Sequence, residues 1–394
     1  VVSRMERAGG GSFQYGTAIL EALAALPEDK YEICFWYSSP SLNSFVKKLP
    51  YSSVHIDSVS ALKWKLTRKI ALFILKSIKS DDFKMYSECD ALLFAVSRWH
   101  PDICISLEQM YNPLAKKIRV VGPIHDLMHR YEPSFPEVNA AGVYESRELL
   151  FSRHARYAAA VLVDSLVGKK HVLESYNISE QRVHVLPFIP NPLLAGEGKC
   201  PAGVSASHFP FVFYPAQFWL HKNHVSIVQA LSMLPESLNM HCIFVGTTDK
   251  SGYADVVQMI KNANLSDRVH ILGYVSDDEM VWLYKNAFAL VMPTFFGPTN
   301  IPPLEAMQYG CPVIASNIYG VPEQLGNAAL FVDPRQPNQI ADSISKLNSD
   351  PSLRNQLIAN GYSKIAQWTK PDFQDAFLNV VYQVQKMNFT YKNG

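Results

Sequence analysis

The sequence predicts an α/β chain of two domains, each a parallel sheet covered by helices. Three observations predict it. Short apolar runs alternate with longer amphipathic stretches along most of the chain, the βαβ pattern of a parallel sheet. Near the middle, residues 190–208 are rich in Pro, Gly, Ala and Ser with little periodicity, as an interdomain linker would be. The alternation then restarts at Phe211-Val212-Phe213-Tyr214. At 394 residues there is enough chain for two separate cores, and a composition 48% hydrophobic and 18% charged belongs to a folded globular protein.

In the first half the runs 31–37, 103–106, 120–124, 160–164 and 183–187 read as strands, and 17–26 as a helix. In the second half strands are expected at 211–214, 241–246, 269–272, 288–292 and 312–316. Helices are expected at 223–234, 253–263, 277–286, from Pro302 to Gly310, and at 336–347 and 351–367, with a last one running to about Lys386. The domains so defined are 1–192 and 193–370, with 371–394 as a closing helix.

Bulk properties exclude several classes. A net charge of +1 gives no general attraction to nucleic acid, and no run of eighteen apolar residues offers a membrane span. The six cysteines form no metal-ligand spacing. Cys34, Cys104, Cys242 and Cys311 lie in or beside strand-like runs and read as buried thiols in a reducing, cytosolic setting. Residues 61–79 stand apart: Lys65, Arg68, Lys69, Lys76 and Lys79 gather on one helical face, opposite Leu66, Ile70, Phe73, Ile74 and Ile78. That pattern suits an anionic lipid surface, and equally a core-facing helix with a solvated basic side.

The most informative stretch is Phe295-Phe296-Gly297-Pro298-Thr299-Asn300-Ile301-Pro302-Pro303-Leu304-Glu305, continuing to Gly310-Cys311-Pro312-Val313. A strand leads into a small polar loop. Pro302 and Pro303 sit in the first turn of a helix, where proline is tolerated, and Gly310 ends it. A loop feeding a helix N-terminus beyond a strand's carboxyl end can hold an anion. Glu305, one turn in, offers an acceptor to hydroxyl groups such as those of a ribose, so the arrangement suits a nucleoside diphosphate. A plain loop of an α/β domain would read similarly.

Other candidates carry weaker signals. Gly9-Gly10-Gly11-Ser12 lets a backbone approach an anion closely, with Ser12 as a helix cap. It is not the GxGxxG of dinucleotide sites, and a plain turn would look the same. Lys222, in the loop after the first strand of the second domain, suits a pyrophosphate as a point charge. His125-Asp126 end a first-domain strand, where an imidazole can hydrogen-bond a ligand, carry a proton, or simply hold its own loop. Gly273 to Glu279 reads as a strand end, a cap and an acidic first turn.

The wording of 295–323 closely resembles the nucleotide-sugar signature of the retaining glycosyltransferases of family 4. The resemblance implies the GT-B architecture: two Rossmann-like domains facing across a cleft, with the C-terminal helix returning to the first. It further implies transfer of a sugar, with retention, from a nucleoside-diphosphate sugar to a hydroxyl of a glycan or lipid-linked acceptor, as in polysaccharide and O-antigen assembly. No metal or other cofactor is expected, since the donor loops hold no Asp-x-Asp or His/Asp cluster. The chain is expected to be cytoplasmic, and peripheral at the membrane's inner face if residues 61–79 meet lipid.

Carried over position by position, Glu305 matches the family's second signature glutamate, which serves the donor ribose, while Gly297 stands where the first would be. Lys222 matches the family's lysine, and Gln217 replaces its arginine. Gly297, Pro298, Thr299, Asn300 and Ile301 would line the leaving diphosphate, with Gly10 and Gly11 reaching the donor phosphates. Tyr274 and Val275 would touch the nucleobase through their backbone. His125 would border the transferred sugar, with Asp126, His129 and Arg130 on the acceptor side. Ser165 looks like the family's strand-end serine. In the family a strand precedes the glycine loop; here it is absent, or Val1-Val2 is its remnant. A nucleotide-sugar epimerase of the same architecture, or a non-catalytic nucleotide-sugar-binding subunit, would share these features, the latter kept open by Gly297 and Gln217.

Overall fold

The computed structural model of the chain describes residues 1–6, 10–57, 89–191, 194–204 and 209–387. The basic stretch 61–79 and Gly9 lie outside the described residues. The chain divides into two compact units. One comprises Val1–Leu127, Glu145–Pro187 and Lys370–Gly394, the other Met128–Tyr144 and Phe188–Thr369.

The first unit contains strands β1 (Val2–Ser3), β2 (Cys34–Tyr37), β3 (Ser52–His55), β4 (Ile103–Ile105), β5 (Arg119–Pro123), β6 (Ala160–Val163) and β7 (Val183–Val185). They pair in parallel as β3-β2-β1 and β4-β5-β6-β7, and a parallel bridge from Val2 to Ser106 joins the two sets. The short run at the start of the chain is thus a strand, and it sits between the two sets. Ser52–His55 had no strand signal because it is an edge strand with no buried residue, where an apolar run is not required.

The glycine loop opens its helix earlier than the sequence suggests, at Gly11–Leu23 rather than residue 17. Gly10, with φ of 59°, is the N-cap and no side chain caps the helix, so Ser12 stands inside the first turn. The helix Lys370–Lys386 packs along Gly11–Leu23 within this unit. It buries Phe373, Phe377, Val381 and Val384, a stripe at spacings of four and three. Phe373 meets Tyr15 edge-on at 5.8 Å, and Lys370 pairs with Glu21 at 2.8 Å.

The second unit is a six-stranded sheet of β8 (Phe211–Pro215), β9 (His241–Val245), β10 (Val269–Ile271), β11 (Ala289–Met292), β12 (Val313–Ser316) and β13 (Ala329–Val332). All pairs are parallel, in the order β10-β9-β8-β11-β12-β13. Alternate residues serve two different cores. Val212 and Tyr214 of β8 join one cluster and Phe211 and Phe213 the other, as expected of a sheet buried on both faces. Burying each such side chain contributes roughly 1.5–3 kcal/mol.

The order reverses between β8 and β11. A reversal of this kind opens a crevice at the carboxyl ends of the strands, where α/β sheets bind ligands. The loops following β8 and β11 carry Lys222 and Gly297–Ile301.

The units change within one residue of the expected boundary at 370, but not at 192. The change comes at Pro187, and the last helix begins at Lys370. More consequentially, 128–144, placed in the first domain by its position in sequence, packs as part of the second unit. The cause is apolar: Met128, Val138 and Phe296 form one buried cluster, with Tyr131, Phe135 and Tyr319 against it.

Candidate active site

The loop after β8 turns through the 3-10 segment Leu220–Lys222 and enters the helix His224–Met233 at Asn223, which takes a left-handed conformation (φ 59°) suited to asparagine. Asn223 does more than turn. Its Nδ2 donates to the carbonyls of Pro293 (2.9 Å) and Pro334 (2.8 Å), beyond the ends of β11 and β13. Thr294 Oγ1 and the Phe295 N–H both donate to the His221 carbonyl, at 3.1 and 2.8 Å. Tyr214 Oη donates to the Lys222 carbonyl at 2.9 Å. Buried backbone groups need such partners, and here they tie the loops after β8 and β11 to each other.

Lys222 extends to Asn300, with Nζ 3.4 Å from Oδ1. The loop of the strongest sequence signal and the weaker candidate Lys222 are therefore neighbours. Asn300 is itself held by Gln324, which accepts from its N–H (3.0 Å) and donates to its carbonyl (2.7 Å). The Asn300 amide is thus already engaged, which removes it from the set of backbone donors expected to face a diphosphate. Thr299 is buried, as are Pro298 and Ile301. Gly297 has φ of 109°, a conformation that strains any residue with a Cβ. What the sequence presents as a missing glutamate is a backbone position that favours glycine.

Glu305 is buried in the helix Pro302–Gln308. Tyr284 Oη donates to its Oε2 at 2.5 Å, and burial together with that carboxylate pushes the phenol well above its ordinary value. Tyr284 therefore remains a hydrogen-bond donor and fixes the direction of Glu305. Gln217 is spent locally, its Oε1 accepting from Trp219 Nε1 at 3.0 Å. Tyr274 is 73% exposed while Val275 is buried. They precede a helix, Asp277–Asn286, whose Ser276 and Glu279 form a reciprocal capping box.

His221 and Glu137 carried no sequence signal. The His221 ring stacks on Phe296 at 3.9 Å, and its Nδ1 lies 3.2 Å from Glu137 Oε1, which also accepts the His221 N–H at 3.1 Å. Burial pushes the Glu137 carboxyl up, but its hydrogen bonds with His221 outweigh that and leave it below the usual carboxylate range. Asn223, Gln324, Tyr284 and Glu137 were all missed because each acts on a residue remote in sequence or through an unremarkable side chain.

In the first unit, Gln109 Oε1 accepts the N–H groups of both His125 (2.7 Å) and Asp126 (3.1 Å). The His125 ring meets Tyr15 edge-on at 4.8 Å. Burial lowers its pKa to about 4, against a smaller opposing pull from Asp126, so the imidazole is neutral at pH 7. Asp126 pairs with Arg147. Gly11 is exposed at the start of its helix. Ser165 is a helix cap, its Oγ accepting from the Gly168 N–H at 3.0 Å. His129, expected beside Arg130 on the acceptor side, is fully buried and packs against Tyr144, because it lies in the segment that joins the second unit's core; Arg130 is exposed.

Residues 202–364 match the family of glycosyl transferases group 1. The chain carries a group 1 glycosyltransferase domain. That domain contains Gln217, Lys222, Tyr274, Val275, the 297–301 loop and Glu305, whereas Gly10, Gly11, His125, Asp126, His129 and Arg130 lie outside the matched span. The chain is 26% identical over 359 residues to the O-antigen chain mannosyltransferase RfbU of Salmonella typhimurium, covering 88% of this chain and 93% of that one. It is 28% identical over 207 residues to O-antigen chain mannosyltransferase B of Escherichia coli, about half of each chain (52% and 51%). HepE from Anabaena, solved in complex with UDP-glucose, has the same fold, with a TM-score of 0.70 over 98% of both chains at 14% identity. The glycosyltransferase fold thus extends beyond the matched domain to the whole chain.

Proposed function

We propose that this glycosyltransferase moves a hexose, mannose by its O-antigen relatives, from a nucleoside-diphosphate sugar to a hydroxyl of a glycan or lipid-linked acceptor, with retention and without a metal. The observation that carries the donor reading is the placement of Lys222 against Asn300 on the two loops that follow β8 and β11, where the strand order reverses. Lys222, with the amides of Gly297, Thr299 and Ile301, stabilises the charge that grows on the departing diphosphate. Glu305, aimed by Tyr284, accepts from the donor ribose. As the bond from the anomeric carbon to the phosphate oxygen breaks, the acceptor oxygen bonds to the same face of that carbon. The acceptor's proton passes to the departing phosphate. Neutral His125 donates to or accepts from a sugar hydroxyl. The lysine supplies positive charge where a metal would otherwise do so, and no other cofactor takes part.

Among the described residues no helix is long and apolar enough to cross a membrane. The basic stretch 61–79 is the segment proposed to meet the anionic inner face of the cytoplasmic membrane, where a lipid-linked acceptor would lie. The test is transfer by purified variants. Lys222→Ala and Glu305→Ala each reduce turnover about 10²–10³-fold while the protein stays folded, the cost of removing one preorganised transition-state donor or its equivalent. Near-normal turnover by both variants would sink the assignment.

A further inference from the structure

Residues 128–144 form a strap whose apolar side chains are sufficient to hold it on the second unit. Phe135 lies 5.3 Å from both Phe295 and Phe296, Met128 and Val138 are buried, and Tyr319 Oη donates to Glu132 at 2.5 Å. Glu137 is out of place in such a contact. Its side chain is only 7% exposed, and its Oε2 is buried with no partner among the described residues. A buried carboxylate costs desolvation that an apolar side chain of similar size would avoid. Its other oxygen, Oε1, accepts twice from one residue, His221, through the N–H and through Nδ1.

His221 immediately precedes Lys222. Around this dipeptide the His221 N–H and ring are held by Glu137, the His221 carbonyl by Thr294 and Phe295, and the Lys222 carbonyl by Tyr214. Three of these four holds come from the second unit's own sheet and loops. Glu137 is the strap's contribution. The His221 ring stacks on Phe296, and the hydrogen bond at Nδ1 adds a directional hold in the plane of the ring.

We propose that Glu137 is a positioning residue for the donor site, fixing the Lys222 ammonium through His221. The inference rests on the donor reading of Lys222 given above. It makes diphosphate binding depend on a segment that lies outside the matched transferase domain.

The test is calorimetric titration of the purified full chain with UDP, GDP and ADP, comparing Glu137→Ala and Glu137→Gln, each alone and with Lys222→Ala. Glu137→Ala weakens the diphosphate that binds by about ten- to a hundredfold, the scale of a small misplacement of a binding group. Glu137→Gln, whose amide oxygen still accepts, stays within about threefold of the parent. With Lys222 already removed, Glu137→Ala costs less than about threefold, because the group it positions is gone. Unchanged affinity in Glu137→Ala, or an equal loss with and without Lys222, would overturn the proposal. If Glu137→Ala does not fold, His221→Phe keeps the stack on Phe296 and removes Nδ1; it must then weaken binding several-fold in the Lys222 background alone, and an equal affinity overturns the proposal. Binding of none of the three nucleotides by the parent chain would instead refute the donor reading, and this inference with it.

Discussion

The two strand-end regions that carry candidate residues are held in different ways. In the second unit, the loops after β8 and β11 are laced together by hydrogen bonds between residues about 70 to 110 positions apart, from Asn223 to Pro293 and Pro334 and from Thr294 to His221. In the first unit, the contacts on the loop after β5 include Gln109 beneath two amides and Arg147 beside Asp126, together with a buried neutral imidazole. The lesson concerns the work each region does. A loop proposed to present a lysine to a diphosphate gains from rigidity supplied by its neighbours, because electrostatic stabilisation depends on groups that do not reorganise. The contact with sugar hydroxyls proposed for His125 places no such demand on its loop.

Acid is expected to have the largest effect, and to act on both units. His125 and His154 in the first unit have pKa values lowered to about 4 by burial; in the second unit burial lowers His224 to about 3 and His241 to about 4. For a histidine with a depressed folded pKa, the unfolded chain binds the proton more readily. The associated stability is therefore complete above about pH 6.5 and falls as the pH drops toward the folded value. Each fully buried ring forfeits on the order of 2 kcal/mol between pH 6.5 and 5, and with two lowered histidines in each unit both units are weakened. Urea unfolding at pH 7 and pH 5, read by hydrogen exchange in β5–β6 and in β8–β11, checks this. Unchanged stability between pH 7 and pH 5 in both units would contradict it.

Asn223→Ala is expected to cost about 2–4 kcal/mol, since it orphans the buried Pro293 carbonyl, leaves that of Pro334 only Ser226 Oγ at 3.4 Å, and places alanine in a left-handed conformation. Thermal unfolding of the second unit measures it, and a loss below about 0.5 kcal/mol would mean that the lacing is incidental. Tyr284→Phe removes a hydrogen bond to a carboxylate, about 1.5–3 kcal/mol, and raises the donor KM more than it lowers kcat if Glu305 serves the ribose. Gly297→Glu, which restores the family's carboxylate, strains the backbone by about 1–3 kcal/mol and does not raise transfer. Faster transfer by that variant would show that glycine there reflects a lost function and not a backbone requirement.

Much of the fold was legible because local rules act there. Asp277–Asn286 was bounded correctly by its capping sequence and acidic first turn, and Pro302-Pro303 marked the start of its helix. The alternation of apolar runs located β2 and β4 through β12, because strands buried on both faces need continuous apolar sequence. The site was legible only in part. Lys222 and the 297–301 loop, which the sequence singled out, are neighbours in the structure, but Glu137, Asn223, Gln324 and Gln109 act on residues remote from them along the chain, and such contacts leave no periodicity. At Gly297 a sequence shows only which side chain is absent, whereas the φ of 109° adds that the backbone there favours glycine. The strap's allegiance to the second unit was invisible because position in the chain does not report which core a Phe or Met enters.

The central claim is that the loops after β8 and β11 hold the diphosphate of the donor. It is tested most directly by titrating UDP, GDP and ADP, without magnesium, into the parent chain, Lys222→Ala and Glu305→Ala. One diphosphate should bind the parent selectively, giving about 2.7 kcal/mol of added stability at a hundred times its Kd, and both variants should lose that effect at the same concentration. Equal binding by the parent and Lys222→Ala, or no binding by any of the three, would contradict the account.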